Sequence, residues 1–317
     1  MAVGVAETTK GASSGQSERA WGVVKSGSRR KVAGGVTENG CVRIGTRESP
    51  MALAQARRVA AALTVSSEVV VISTDGDRWM GSLAAAGGKG AFVREIDRAL
   101  LDGQIDVAVH CLKDIPGGVP VPDGLALAAY LDREDVHDCV VTTDGRILAD
   151  LPSGATIATS SVGRQAQLAR HWSHLRPVPM RGNVTTRLAK LDRSEVDALI
   201  LAVSGLRRLD QANRIAKVLP TDTFIPPIGA GVIALQVRAD DTTTRNLMRR
   251  LNEQTALAAS VERSVVGRRT VDWPAGHPDA GRGLVEHHGG SDAQVGSVLA
   301  ADTALDAAAV AASVWRC

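Results

Sequence analysis

From Val42 onward, short β-branched runs alternate with amphipathic helical stretches, and this alternation limits the possible folds more than any other feature of the 317-residue chain. Val42–Thr46 reads as a strand. Ser49-Pro50 then supplies an N-cap and a first-turn proline for a helix running to Leu63. Glu68–Ser73 is a β-branched strand. Gly87-Gly88-Lys89-Gly90 leads into a helix over Phe92–Leu101 that Gly103 ends, and Ile105–Leu112 is a buried strand delivering Lys113 and Asp114 at its carboxyl end.

A second set follows the same logic: a strand at Thr156–Thr159, a helix capped by Ser160-Ser161 and running through Trp172, and a strand at Pro177–Met180. A short helix at Thr185–Leu191, a strand at Ala198–Val203 and a helix starting at Leu206 complete it. Ile233–Arg238 reads as a strand returning to the first set. Such alternation predicts two α/β domains with mostly parallel sheets, joined by two chain crossings, with ligands outside the carboxyl ends of the strands. The expected domains are 41–132 with 231–251, then 133–230. A small domain over 252–317 would hold a helix at Ala256–Arg269, a Gly/Asp/His-rich segment from Asp272 to Gly296 and a last helix at Leu305–Trp315. Residues 1–40, rich in Gly, Ser, Thr and charge, are expected to be a disordered extension. Glu7, Glu18 and Glu38 break the acid-poor rule of an organelle transit peptide.

Charge and composition exclude some functions. The 37 basic and 34 acidic residues nearly cancel, and 3% aromatics leave little for base stacking, so no nucleic-acid partner is expected. No apolar run reaches the length of a membrane span, which predicts a soluble protein without a membrane partner. Cys41, Cys111, Cys139 and Cys317 are scattered, which suits a reducing, cytoplasmic compartment.

Any positive field must therefore be local. Arg47 and Ser49 follow the first strand, Lys89 sits in a glycine loop, and Lys113-Asp114 ends a buried strand. Thr159, Ser160, Ser161 and Arg164 lie where a strand meets a helix N-terminus. Arg181 and Arg187 flank a Gly-Asn turn, and Arg208 follows another strand. Cations, hydroxyls and helix N-termini converging on one cleft suit a ligand with several carboxylates or phosphates. Asp114 stands alone among them as an acid, which suits a ligand with acidic arms and a cationic reacting core. Each element is weak by itself: an arginine at a strand end is more often solvated, and Gly-Gly-Lys-Gly lacks the P-loop spacing. His287-His288 has no companion ligands at zinc-like spacing, so no metal is expected. His110 reads as a satisfied core residue, Cys111 as a buried strand residue and Cys317 as an inert thiol.

Taken together, the segments from Val42 to Arg269 resemble porphobilinogen deaminase (hydroxymethylbilane synthase). The resemblance rests on Arg43-Ile-Gly-Thr-Arg-Glu-Ser-Pro50, Gly87-Gly-Lys-Gly90 with Phe92, and Asp106-Val-Ala-Val-His-Cys-Leu-Lys-Asp-Ile-Pro116. It continues through Arg133-Glu-Asp135, Thr159-Ser-Ser161, Arg181-Gly-Asn-Val184 with Arg187, and Leu201-Ala-Val-Ser-Gly-Leu206. It implies that porphobilinogen loses ammonia to give an azafulvene, which the α-carbon of a growing pyrrole chain attacks. Asp114 would stabilise positive charge on the pyrrole nitrogens. Arg47, Lys113, Arg164, Arg181, Arg187 and Arg208, with the hydroxyls of Ser49, Thr159 and Ser161, would bind acetate and propionate arms. Lys89 would belong to a loop over the cleft, and Phe92 would pack beside the pyrroles. The fold expected is two periplasmic-binding-protein-like α/β domains with a cleft between them, plus a shortened C-terminal α+β domain, in a monomer.

Three departures stand out. The family carries a dipyrromethane cofactor on a cysteine thioether. Counting on from Val261-Glu-Arg263, Trp273 takes that cysteine's place, so covalent attachment is not expected there. The usual paired arginines after Thr-Ser-Ser are Gly163-Arg164, and the usual Gly-Gln-Gly turn is Gly229-Ala-Gly231. The leading expectation is thus a pyrrole-handling transferase of tetrapyrrole biosynthesis or a specialised offshoot. A non-catalytic binder or sensor of acidic pyrroles is the alternative, and a solute-binding protein a distant third.

Overall fold

The structure, a computed structural model, describes residues 23–25, 40–78, 88–117, 120–248, 251, 253–264, 266–272 and 282–288. Trp273, the Lys89 side chain and the helix expected at Leu305–Trp315 lie outside what is described.

The first half runs Val23–Lys25 (β1), Val42–Thr46 (β2), Pro50–Ala62 (α1), Ser67–Val71 (β3), Asp75–Arg78 (α2), Arg94–Leu101 (α3), Val107–Cys111 (β4) and Leu125–Tyr130 (β5). The chain then crosses to Asp138–Val141 (β6), Thr156–Ala158 (β7), Val162–His171 (α4), Arg176–Val178 (β8), Val184–Asp192 (α5), Ala198–Ala202 (β9), Val203–Arg207 (α6) and Lys217–Val218 (β10). It returns as Ile233–Arg238 (β11), Thr242–Met248 (α7) and Glu253–Ser264 (α8), followed by a hairpin of Val266–Asp272 (β12) and Arg282–His288 (β13). One sheet has the order β1-β3-β2-β4-β11-β5, the other β10-β6-β9-β7-β8. The two-sheet α/β plan is as the alternation predicts.

Differences from the sequence reading have physical causes. The sheets are mixed rather than mostly parallel: β11 runs antiparallel to both β4 and β5, and β6 antiparallel to β9 and β10. These are the first strands laid down after each crossing, where no covering helix forces the right-handed parallel connection. The segment expected to be one helix to Arg269 stops at Ser264. Gly267 and the β-branched Val266, Thr270 and Val271 place the rest in β12. Within the N-terminal forty residues, β1 pairs in parallel with β3 at the sheet edge.

Helices cover both faces of the first sheet. On one face, Ala56 and Val59 of α1 pack on Val42, Ile44, Val107 and Leu235; on the other, Ile96 and Leu100 of α3 pack on Val70, Ile105 and Ala108. All five residues of β2 are buried, as a central strand requires, and each fully buried side chain such as Ile44 contributes about 1.5–3 kcal/mol. The second sheet is covered likewise by Leu168 of α4 with Phe224, and by Leu188 and Leu191 of α5.

The crossings are tied together. Gly231 has φ +73°, and a Cβ there would lie 2.2 Å from the Glu134 carbonyl oxygen, so only glycine lets the two crossings meet. The Gly231 carbonyl accepts from Glu134 N (3.1 Å) and Arg208 Nη2 (3.3 Å). From α8, buried Glu262 accepts from Gly229 N at 2.9 Å and from Arg133, which anchors this helix to both crossings.

One core group is poorly solvated. Burial pushes the Asp97 carboxyl on α3 up to about 6, with nearby Glu95 adding to the shift and Gln236 opposing it. A carboxyl raised above its unfolded value destabilises the native state at neutral pH, and that penalty disappears as pH falls through 6 towards the ordinary carboxylate range. Asp97→Asn is therefore expected to stabilise the protein by about 1–2 kcal/mol at pH 7. Urea denaturation should show the advantage shrinking below pH 6.

Candidate functional site

The cleft begins at the carboxyl end of β2. Arg47 leaves this strand and Ser49 caps α1, its hydroxyl accepting from Ala52 N at 3.3 Å. Beside them, β4 ends in Cys111, and the chain makes a 3-10 turn over Leu112–Asp114. A Cβ on Gly229 would sit 2.8 Å from Lys113 N, so the second crossing packs directly on the turn that carries Lys113 and Asp114. Phe92, at the end of the 3-10 turn Gly88–Phe92, closes one side. Arg47, Ser49, Gln55, Phe92, His110, Cys111 and Asp114 line a common pocket.

Arg47 is held from three directions. Its Nε and Nη2 donate to the two Asp77 oxygens at 3.0 and 2.5 Å, its Nη1 lies 3.9 Å from Asp114 Oδ2, and its guanidinium sits 4.3 Å from the Phe92 ring centre. Burial works against its charge, but the Asp77 hydrogen bonds and the Asp114 field outweigh it and raise its pKa. Asp77 responds in kind: burial raises its carboxyl, and Arg47 together with the Thr74 hydroxyl (2.7 Å) lowers it below the usual range. The cleft therefore contains two acids, not the single one expected. Asp77 could have been suspected from its position just beyond β3, at the same sheet edge as Arg47.

The second sheet contributes from above. Arg181 donates to the Gly76 carbonyl at 2.9 Å and lies 5.6 Å from the Phe92 ring centre, linking the two halves across the cleft. Asn183 caps α5, accepting from Thr186 N at 2.8 Å, and this sets Arg187 on the first turn, where its Nε donates to the Gly182 carbonyl at 2.8 Å. Among the described residues Arg187 has no carboxylate partner. Its burial, then the fields of Arg164 and Arg181, pull it down to about 10, while Asp114 pulls the other way. Burial and Arg47 likewise lower Arg181. Asp77 opposes that shift, and positive charge crowded to this degree favours the approach of an anion.

Other predicted residues are placed differently. Arg164 turns its fork onto Asp138 (2.7 and 2.6 Å) with Nη1 on the Ile200 carbonyl, in a buried pair. Its donors hold α4 against the second sheet. Arg208 is also engaged, its Nε 2.8 Å from Glu134 Oε2 at the crossing. Thr159 is fully buried, its hydroxyl accepting from Ser161 N at 3.2 Å, and Ser161 caps α4 by accepting from Arg164 N at 3.4 Å. These two hydroxyls shape the loop at the helix start. Lys113 is half-buried beside Asp114. His110, expected to be satisfied in the core, has no partner for Nε2 among the described residues. Gln55 donates to Cys111 Sγ at 3.1 Å; by contrast, burial pushes the Cys139 thiol up to about 12.

Residues 42–246 match the family model described as porphobilinogen deaminase, dipyrromethane cofactor binding domain. The chain is 47% identical over 254 residues to porphobilinogen deaminase 2 of Streptomyces coelicolor, covering 78% of this chain and 80% of that protein. It is 45% identical over 234 residues to porphobilinogen deaminase of Syntrophotalea carbinolica, covering 72% and 74%. Among solved structures, the VFT2 domain of Bordetella pertussis BvgS aligns with a TM-score of 0.38 at 16% identity, over 66% of this chain and 85% of that one.

Proposed function

Because the chain belongs to the porphobilinogen deaminase family, we propose that it is a cytoplasmic, monomeric hydroxymethylbilane synthase-like transferase that binds porphobilinogen or a similar dicarboxylic pyrrole and releases ammonia. The observation that carries this reading is Asp114, set beside Arg47 and facing a crowd of cations of which Arg187 has no carboxylate of its own among the described residues. Arg187, Arg181 and Lys113 would take the carboxylate arms. Asp114 would face the pyrrole as it becomes electrophilic, stabilising the positive charge that grows when ammonia leaves. Phe92 offers an apolar face to the ring.

A dipyrromethane fits this donor set by charge, since its four carboxylates match the cations around Asp114; when bound it supplies a nucleophilic pyrrole carbon. Its covalent attachment does not fit the sequence position of the family's cysteine, where Trp273 has no thiol. Processive tetrapyrrole assembly would therefore need another residue to hold the primer. No helix among the described residues is long and apolar enough to cross a membrane.

The test is to incubate the purified full chain with porphobilinogen while following ammonia and pyrrole products, with intact-mass analysis of the protein. Ammonia release supports the transferase. Binding without release supports a sensor instead, and an added mass matching a dipyrromethane would show that another residue anchors the cofactor.

Asp77 bears on the same chemistry. Freed from its bidentate partner, Arg47 would swing its fork onto Asp114, whose nearest oxygen is already 3.9 Å from Nη1. Asp77→Asn is therefore expected to lower kcat for ammonia release about tenfold with little change in KM, in steady-state assays.

A further inference from the structure

We propose that helix α8 positions the Asp114 carboxylate, and that Arg263 is the positioning residue at its far end. The inference rests on the pyrrole reading above and adds the support behind its acid. Asp114 belongs to the three-residue 3-10 turn Leu112–Asp114, and among the described residues its one ion pair is the 3.9 Å approach of Arg47. With its side chain about a third exposed, the backbone of the turn decides where the carboxylate points. What holds the turn therefore holds the acid.

Helix α8 grips the turn from one face. Residues 256, 259, 262 and 263 recur at the three- and four-residue spacing that aligns side chains along a helix. Ala256 and the fully buried Ala259 join the apolar cluster of Leu112 and Ile115, the two residues that flank Lys113 and Asp114. Further along the helix, Glu262 accepts from Gly229 N at 2.9 Å. Gly229 lies against the turn itself, since a Cβ there would sit 2.7 Å from Leu112 Cγ and 2.8 Å from Lys113 N. Arg263 Nη2 then donates to the Pro116 carbonyl at 3.2 Å, two residues beyond Asp114. Nη1 of the same guanidinium is closed to solvent, so the group is seated in the protein rather than drawn into water. Proline has no N–H, and its carbonyl is the only hydrogen-bonding handle its backbone offers.

The acid is thus bracketed. Gly229 and the two alanines set the entry to the turn, and Arg263 sets its exit. The first contacts belong to the core and carry stability. The Arg263 bond is half-buried and single, so its loss is felt as a shift of the turn more than as unfolding. A displacement of about 1 Å at a reacting group can cost on the order of 10² in rate, and loosening one end of the turn should cost less than that.

The test is steady-state ammonia release from porphobilinogen by the full chain. It compares the wild type with Arg263→Met, which keeps an apolar stem and removes the donor, and with Arg263→Lys, which restores a donor. For Arg263→Met, kcat per folded molecule is expected to fall about tenfold with KM within about twofold, and Arg263→Lys is expected to regain most of the loss. A purely structural role would lower the melting temperature and leave kcat per folded molecule unchanged. That result overturns the proposal and leaves the pyrrole reading intact. A raised KM at constant kcat overturns it as well, because Arg263 would then be holding the ligand. No ammonia release by the wild type overturns the transferase reading, and this proposal with it. Should Arg263→Met not fold, native-state hydrogen exchange of the wild type decides the matter. The Ile115 amide, which donates to the Leu112 carbonyl at 3.1 Å, must open together with the amides of α8. Separate opening free energies contradict the proposal.

Discussion

Asp114→Asn is expected to reduce ammonia release from porphobilinogen by a factor on the order of 10² to 10⁴, with KM changed far less. The substitution preserves shape and removes the negative charge, so it isolates the electrostatic role. Asp114 sits on a tight turn after β4, with its side chain about a third exposed, and among the described residues its one ion pair is the 3.9 Å approach to Arg47. Stability should therefore be little affected, and a thermal melt matching the wild type would show that the lost rate is chemical. A variant that retained full turnover would mean that the cations alone expel ammonia.

The largest expected effect on stability lies behind the site. Asp106 is fully buried and accepts from Arg43 N (2.9 Å), Nε (2.9 Å) and Nη2 (2.7 Å), and from Arg238 Nη2 at 3.2 Å. The Asp106 hydrogen bonds raise the Arg43 pKa despite burial. Asp106→Ala would leave buried guanidinium groups short of their anion, although Arg238 keeps Asp241 at 3.0 Å. A loss of about 3–5 kcal/mol is expected in urea denaturation. The exposed Asp144–Arg146 pair is the contrast, and Asp144→Ala should leave the midpoint in place.

Local chemistry made part of this molecule readable in advance. Val42–Thr46 and Ile233–Arg238 coincide with their strands because β-branched and apolar runs bounded by turn residues leave little choice. The Ser49-Pro50 cap and the Ser161 cap were legible for the same reason, since each is decided within four residues. Arg47 and Asp114 stand just past the ends of β2 and β4, where local pattern puts them, and line a pocket together with Phe92 from the turn before α3.

What escaped depends on partners far apart in the chain. Arg47 meets Asp77 thirty positions on, and Arg164 meets Asp138 twenty-six positions back. Whether an arginine presents its fork to a ligand or to a buried aspartate is fixed by sheet order and register, which no local pattern encodes. The antiparallel β6 and β11 belong here too: their direction follows from where the chain enters each sheet.

A crystal structure of the Asp114→Asn protein with porphobilinogen bound should show the two carboxylate arms within hydrogen-bonding distance of Arg187 and of Arg181 or Lys113, with the pyrrole nitrogen at residue 114. Carboxylates turned to solvent, or a pyrrole seated away from that turn, would contradict the reading of this cleft as a pyrrole site.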